Sequence, residues 1–331
     1  LSAESKAKIS ELQNPDFDTI VYPTFEAGSS VATRDSNHKI LNAIASKIPS
    51  FLGGSADLAP SNKTELKDMG DFPNGRNIHF GIKEHAMAAI VNAMNLYGLF
   101  RVYSATFFVF SDYLKPSARI AALASIPQHF IWTHDSIGVG EDGPTHQPIE
   151  HLSQFRALPN FYTFRPADAT ENVEAWKIAL KMNAPTAFVC SRQGLKVLKD
   201  DKAFGDVCNG GYLLTKRENA TITIMASGSE VNLALQTACA LEKEGILANI
   251  VSVPCFDLLL EQSEDYINKI IDPKTRVYAV EAARALEYYK YADVVFGMDS
   301  FGASGPADKL FDEFGFTVDK LKTKIIEDLK K

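Results

Sequence analysis

Fifteen residues from His134 to Pro148, HDSIGVGEDGPTHQP, hold two histidines, two aspartates, one glutamate and three glycines. Imidazoles carry protons near neutral pH, and carboxylates accept hydrogen bonds from hydroxyls, so the stretch suits a polar ligand. Gly138-Val-Gly140-Glu-Asp-Gly143 matches the G-x-G-x-x-G spacing of dinucleotide loops. Such a loop must open a helix whose free N–H groups meet a pyrophosphate. Here Pro144 and Thr145 follow, and Glu141 and Asp142 put negative charge where phosphate would lie. The spacing is therefore a decoy. A cation held by His134, Asp142 and His146 is a second option, but histidines twelve apart on a glycine-rich loop are not a helical i, i+4 metal pair. The preferred reading is a loop beyond a strand end that presents two imidazoles and a carboxylate to a polar substrate, where open α/β sheets bind ligands.

Three further groups could do chemistry, and each has a plainer alternative. Glu84, in HFGIKEHAM (79–87), stands where a short strand meets a helix. It either complements the helix dipole or is a carboxylate in an apolar setting, raised in pKa and ready to share a proton with a ligand. Phe107, Phe110 and Tyr113 recur every three residues in TFFVFSDY (106–113), as on one side of a helical turn. They are core packing or a stacking set for a flat heteroaromatic ligand. Arg34, Arg165 and Arg192 stand beside strand ends, as surface salt bridges or as phosphate-gripping guanidinium groups.

The elements that must position these residues alternate. FLGGSAD (51–57), RVYSATF (101–107), HFIWTHD (129–135), FYTFRPAD (161–168) and TAFVCSR (186–192) read as strands. Amphipathic helical stretches separate them, which predicts a mostly parallel sheet flanked by helices. The polar, glycine-containing stretch 194–211 reads as a linker. Strand–helix alternation then resumes through ATITIMAS, ANIVSVP and RVYAVEA to a final amphipathic stretch, VDKLKTKIIEDLKK. The expected organisation is an N-terminal extension (1–30), a first α/β domain (31–193), the linker and a smaller α/β domain (212–331).

Composition agrees with two domains, since 331 residues fit the prior of roughly 150 per domain. A net charge of −7 without a run of Lys or Arg argues against nucleic acid as partner. No apolar stretch reaches the roughly 20 residues of a membrane span, and no signal peptide opens the chain. The four cysteines form no C-x-x-C pair, so a reduced, cytoplasmic protein is expected. All seven histidines precede residue 152, which points to chemistry in the first domain.

In combination, GGSADLAPSN (53–62), GIKEHAM (81–87), THDSIGVGEDGPTHQP (133–148), RPAD, SRQ and FGASGPADKLFDEFGFT (301–317) resemble the transketolase family. The resemblance runs from about residue 20 to residue 320, over its pyrimidine-binding and C-terminal domains. It implies thiamine diphosphate as cofactor. Glu84 would share a proton with the aminopyrimidine ring and so activate the thiazolium carbon. Phe107, Phe110 and Tyr113 would line the ring's pocket, with Asp57 near the cofactor. His134 and Asp142 would hold sugar hydroxyls, and His146 would assist proton transfer at the reacting carbons. Arg34, Ser61 and Arg192, with His134, would bind the terminal phosphate. The implied reaction moves a two-carbon ketol unit from a ketose phosphate to an aldose phosphate.

The family's N-terminal domain, with its Gly-Asp-Gly motif for diphosphate and metal, has no counterpart here. Ligands for Mg²⁺ or Ca²⁺ are therefore expected on that separate half, and none on this chain. The chain opens at Leu1 without Met, so it is expected to be either the C-terminal part of a longer transketolase or one subunit of a split enzyme. In both cases it would join an N-terminal half in a homodimer or heterotetramer. Alternatives are a non-catalytic dimerisation or regulatory module, a formaldehyde-accepting transketolase, or a deoxyxylulose phosphate synthase.

Overall fold

A computed structural model describes residues 1–199 and 201–331; Asp200, inside the expected linker, lies outside the described residues. Helix α1 (Ala3–Gln13) buries no residue, but Phe17, Tyr22 and Phe25 of the following segment pack on the first core. Strand β1 (Ser30–Ala32) pairs antiparallel with β8 (Gly194–Lys196), so the stretch after residue 193 begins by closing against the chain's start.

Between them lies a six-stranded parallel sheet. Its strands are β2 (Phe51–Ser55), β3 (Asn77–His79), β4 (Arg101–Phe107), β5 (His129–Thr133), β6 (Tyr162–Phe164) and β7 (Thr186–Cys190). They lie in the order β3-β2-β4-β5-β7-β6. Helices α2 (Thr33–Lys47), α3 (Ala59–Asn62), α4 (Glu84–Tyr97), α5 (Ser111–Leu123), α6 (His151–Arg156) and α7 (Ala169–Ala179) connect and flank them. Period-two alternation along β5 supplies both faces of the sheet. Phe130 and Trp132 enter a cluster with Phe108, Phe155 and Phe161, while Ile131 enters one with Phe51, Trp176 and Phe188. Glycine is required in β2, because a side chain at Gly53 would run into Tyr103 and one at Gly54 into the carbonyl of Ile78.

Of the strands expected in the first domain, β4 ends where expected, at Phe107, and the other four stop short. The ladder ends at Ser55, Thr133, Phe164 and Cys190, two to four residues before the apolar-to-polar runs do. Asp57, Asp135, Asp168 and Arg192 thus lie beyond the sheet, because chain that turns out to meet a ligand or another domain leaves the hydrogen-bonded ladder.

The second sheet contains β9 (Tyr212–Thr215), β10 (Ile222–Ala226), β11 (Ala248–Ser252), β12 (Arg276–Val280) and β13 (Val294–Phe296). They lie in the order β13-β12-β10-β11-β9, with β9 antiparallel. Helix α8 (Glu230–Glu242) packs against the C-terminal helix Val318–Leu329, which buries Leu321 and Ile325. The fold is therefore mixed α/β with two large sheets, as the alternation predicts, and the two-stranded β1–β8 pair beside them.

The carboxyl ends of the two sheets meet. Arg165, just past β6, is fully buried against Asp135 (2.9 Å), Glu230 (2.5 Å) and Glu281 (3.3 Å). Arg156 bonds Glu281 at 2.7 Å and also reaches Glu287. Burial opposes the charge on Glu281, but Arg156 and Arg165 outweigh it and hold the carboxyl below its ordinary range. The crevice where an open α/β sheet would bind a ligand is filled in the second domain by these arginines. Arg165 is therefore neither a surface salt bridge nor a free phosphate ligand.

Candidate active site

The candidate residues collect at the carboxyl edge of the first sheet. His134 follows β5 directly, with a left-handed backbone (φ 65°). That conformation is uncommon outside glycine and is held only where surroundings over-determine it. Thr133 Oγ donates to Asn62 Oδ1 (2.7 Å), so its oxygen must accept the Nδ1–H of His134 (2.7 Å). The bond fixes the tautomer and leaves Nε2 as an acceptor, 3.4 Å from Arg34 Nη1. Burial, then the charges of Arg34, Arg192 and His146, pull His134 down to about 3. The imidazole is neutral at physiological pH.

Arg34 sits in the first turn of α2 and donates from Nη1 to the Ser61 carbonyl at 3.0 Å. Burial pulls its guanidinium down, Asp35 opposes, and Arg192 adds to the fall. Among the described residues its buried Nε has no hydrogen-bond partner. Arg192, exposed after β7, is near enough to act electrostatically on both Arg34 and His134. Two guanidinium groups and a buried donor beside a neutral histidine are a set whose chemistry suits an oxyanion.

The aromatic set is not one helix face. Phe107 ends β4, Phe110 lies in the single turn 108–110, and Tyr113 lies in the first turn of α5. The turn still brings the rings together. Phe107 and Phe110 are parallel within 1° at 5.8 Å, and Tyr113 lies 6.1 Å from Phe110. His134 stacks on Phe107 at 3.7 Å. His146, half-buried, meets Phe110 edge-on at 5.4 Å, and its Nδ1 is 2.9 Å from Thr145 Oγ1.

Glu84 is the first residue of α4, buried to 8% exposure. Among the described residues nothing hydrogen-bonds its carboxylate. Asp57 (φ 59°) and Asp142 are exposed and make no hydrogen bond or ion pair with the rest of the set among the described residues. Ser61 takes part through its carbonyl. The three-residue cation option is not assembled: among the described residues, the grouping with metal-ligand spacing is Asp112, Glu150 and His151, outside the set above. Sequence reading also misses Asn62 and Thr133, which set the His134 tautomer. Both lie inside the quoted motifs GGSADLAPSN and THDSIG, so adjacency to a named residue is the available signal.

The other histidines divide. His129 is wholly buried, bonded to Thr186 Oγ1 at 2.8 Å and packed on Trp176; His151 is buried beside Phe108. His38, His79 and His85 lie outside the cluster, bonded to Lys63, Asp71 and Ser117. Clustering of histidines in the first domain therefore reflects two site residues and five others.

The family model for the transketolase pyrimidine-binding domain matches residues 29–197, and that for the transketolase-like C-terminal domain matches residues 210–317. The transketolase of Halalkalibacterium halodurans is 48% identical over 311 residues, which is 90% of this chain and 46% of that protein. The Bacillus subtilis transketolase is 44% identical, over 92% of this chain and 47% of that protein. The chain thus spans about half the length of the relatives it matches. A Campylobacter jejuni transketolase crystal structure superimposes with a TM-score of 0.95 at 57% identity, covering 98% of this chain and 51% of that one. A split-gene transketolase, an inactive β4 tetramer, shares the fold over 91% of this chain and 99% of its own (TM-score 0.73), but at 24% identity. With a pyrimidine-domain match over more than half its length and a C-terminal-domain match following it, the chain belongs to the transketolase family.

Proposed function

We propose that this chain supplies the pyrimidine-binding and C-terminal part of a thiamine diphosphate-dependent transketolase site. That site transfers a two-carbon ketol unit from a ketose phosphate to an aldose phosphate once an N-terminal half joins it. Residues 31–193 would form the pyrimidine-binding domain and residues 212–331 the C-terminal domain, joined by 194–211. The observation that carries the reading is His134. Its ring stacks on Phe107 while its Nε2 faces Arg34, so one neutral imidazole joins the aromatic pocket to the cationic seat.

The residues present fit the cofactor's pyrimidine end. A buried carboxylate without a hydrogen-bond partner among the described residues and a pair of parallel rings emerge from β3 and β4, on either side of β2. When bound, thiamine diphosphate supplies the nucleophilic carbon and the electron sink. Glu84 would hold a proton at the ring nitrogen, where exclusion of water favours its transfer. Phe107, Phe110 and Tyr113 would stack the ring, with Asp57 at its margin. Arg34, Ser61 and Arg192 would take the sugar's phosphate. His134 Nε2 and the Asp142 carboxylate would accept sugar hydroxyls, and His146 would move a proton at the reacting carbons. Mg²⁺ or Ca²⁺ and the diphosphate would be held by the N-terminal half.

Assembly as a homodimer or heterotetramer is supported by apolar side chains left exposed on the outer sides of α4 and α5, among them Ile90, Leu96, Tyr97, Ile120 and Leu123. No described helix is long and apolar enough to cross a membrane, and the four cysteines are unbridged, which accords with a reducing cytoplasm. The test is native mass spectrometry of the chain mixed with an N-terminal half, thiamine diphosphate and Mg²⁺, followed by a ketol-transfer assay. A cofactor-bearing complex with turnover is expected. A complex that retains cofactor yet transfers nothing would overturn the reading.

A further inference from the structure

The loop that carries His134, Asp142 and His146 is seated on the second domain at several points. Ile137 and Ile149 near its two ends are buried in the second domain's own core, among Tyr278, Val280, Met298 and Leu310. The Arg284 amide donates to the Ile149 carbonyl at 2.9 Å. At the start of the loop, Asp135 is held by Arg165, itself held by Glu230 and Glu281. In the middle, Gln147 Nε2 donates to the carbonyls of Gly140 and Ala303, each at 2.9 Å. Ser304 Oγ donates to the Glu141 carbonyl at 2.7 Å.

The fit at the centre allows little else. Gly140 and Gly143 adopt φ of 84° and 79°, which glycine takes without steric cost. A side chain at Gly140 would press on the Gly305 carbonyl at 3.4 Å, and one at Gly143 on Ser304 at 3.3 Å. Gly302 has its own reason: a methyl group there would strike the side-chain carbonyl of Gln147. The segment 302–305 thus packs closely on the loop, with Gly302 against the Gln147 side chain and Gly143 against that of Ser304.

We infer that the second domain is the rigid seat of the sugar-recognition loop, and that Gln147 and Ser304 are positioning residues that hold its backbone at Gly140 and Glu141, next to Asp142. The inference deepens the reading under Proposed function and rests on it for the word sugar. It assigns the second domain a task, that of holding the loop which carries Asp142 and His146. Two consecutive carbonyls fixed immediately before Asp142, at Gly140 and Glu141, keep that carboxylate and His146 from swinging, which preserves the sub-ångström placement that hydroxyl recognition needs.

The experiment is amide hydrogen exchange on the full chain, read by mass spectrometry, for wild type, Gly302→Ala, Ser304→Ala and Ser304→Thr. Gly302→Ala displaces the end of the flexible Gln147 side chain and crowds one methyl group of Ile137, and Ser304 is exposed, so both variants are expected to fold. The amides of Gly140, Gly143 and His146 should exchange roughly tenfold faster in Gly302→Ala and Ser304→Ala, while those of β4 and β5 stay slow. Ser304→Thr, which keeps the hydroxyl, should restore slow exchange. In the assembly with an N-terminal half, the same two variants should raise KM for the sugar phosphate about tenfold and leave the affinity for thiamine diphosphate unchanged. Unchanged loop exchange would overturn the seat, and faster exchange with an unchanged KM would overturn the positioning role. If the wild-type assembly is itself inactive, the proposed function falls, and the exchange arm still decides whether the second domain seats the loop.

Discussion

The imidazole of His134 lies face to face with Phe107, 3.7 Å between ring centroids. Both residues stand at the carboxyl ends of adjacent parallel strands, where Phe107 is paired in register with Thr133. The contact therefore follows from the register of β4 on β5, and a slip of one residue would turn every side chain to the opposite face. It places a neutral ring, with its acceptor nitrogen turned to Arg34, at the boundary of an aromatic pocket and a cationic one.

Glu84→Gln in the assembled enzyme should lower turnover by roughly a hundredfold or more, the usual worth of a positioned proton-transfer group. KM for the sugar should change by less than about threefold, since the role proposed for the carboxylate is toward the cofactor and not the sugar. Steady-state kinetics at saturating cofactor decides it, and turnover near wild type would remove Glu84 from the mechanism.

Arg192→Ala should raise KM for phosphorylated substrates about tenfold, consistent with about 1.5 kcal/mol for a hydrogen bond to a charged group. A phosphate-free donor such as hydroxypyruvate should keep its KM. Equal losses for both donors would mean that the guanidinium supports the fold of the site and does not bind phosphate.

Burial, reinforced by Arg101, pulls His129 down to about 3 from an ordinary 6.5. Below pH 6.5 the unfolded chain therefore binds a proton that the folded chain refuses. The stabilisation is complete above that pH and drains away toward pH 3, by about 1.4 kcal/mol per pH unit. His134 acts in the same direction. Glu171 and Asp257, each raised to about 7 chiefly by burial, act in the opposite sense between their unfolded values and pH 7. The useful quantity is accordingly the difference between His129→Gln and wild type. Urea unfolding at pH 4 to 7 should show the variant's slope reduced by one proton, and parallel curves would refute a buried neutral His129.

Arg165→Met leaves Asp135, Glu230 and Glu281 facing one another without their common cation. Removal of one partner from a buried ionic cluster costs about 3–5 kcal/mol, and the denaturant midpoint should fall accordingly. Adding Glu230→Gln to Arg165→Met should recover part of the loss, because one of the stranded charges is gone. A loss below about 1 kcal/mol for the single variant would show that water or rearrangement already compensates the cluster.

Much of this protein was legible in its residues alone. Strand-like runs alternating with amphipathic stretches determined the class and the two sheets, because period and burial are local signals. The motif residues from Arg34 to Arg192 could be named before any coordinates, since functional side chains concentrate just past strand ends. Tertiary structure alone decided where the ladders stop, that Arg165 is a buried interdomain cation, and that Phe107, Phe110 and Tyr113 converge through a turn instead of a helix face. It also decided the protonation of His134, whose neighbour Arg34 is 100 positions away, and the seating of the loop on residues 302–305. The reason is physical: periodicity reports what a residue's own segment prefers, whereas burial, Coulomb neighbours and backbone contacts are set by segments distant in the chain, which only packing brings together.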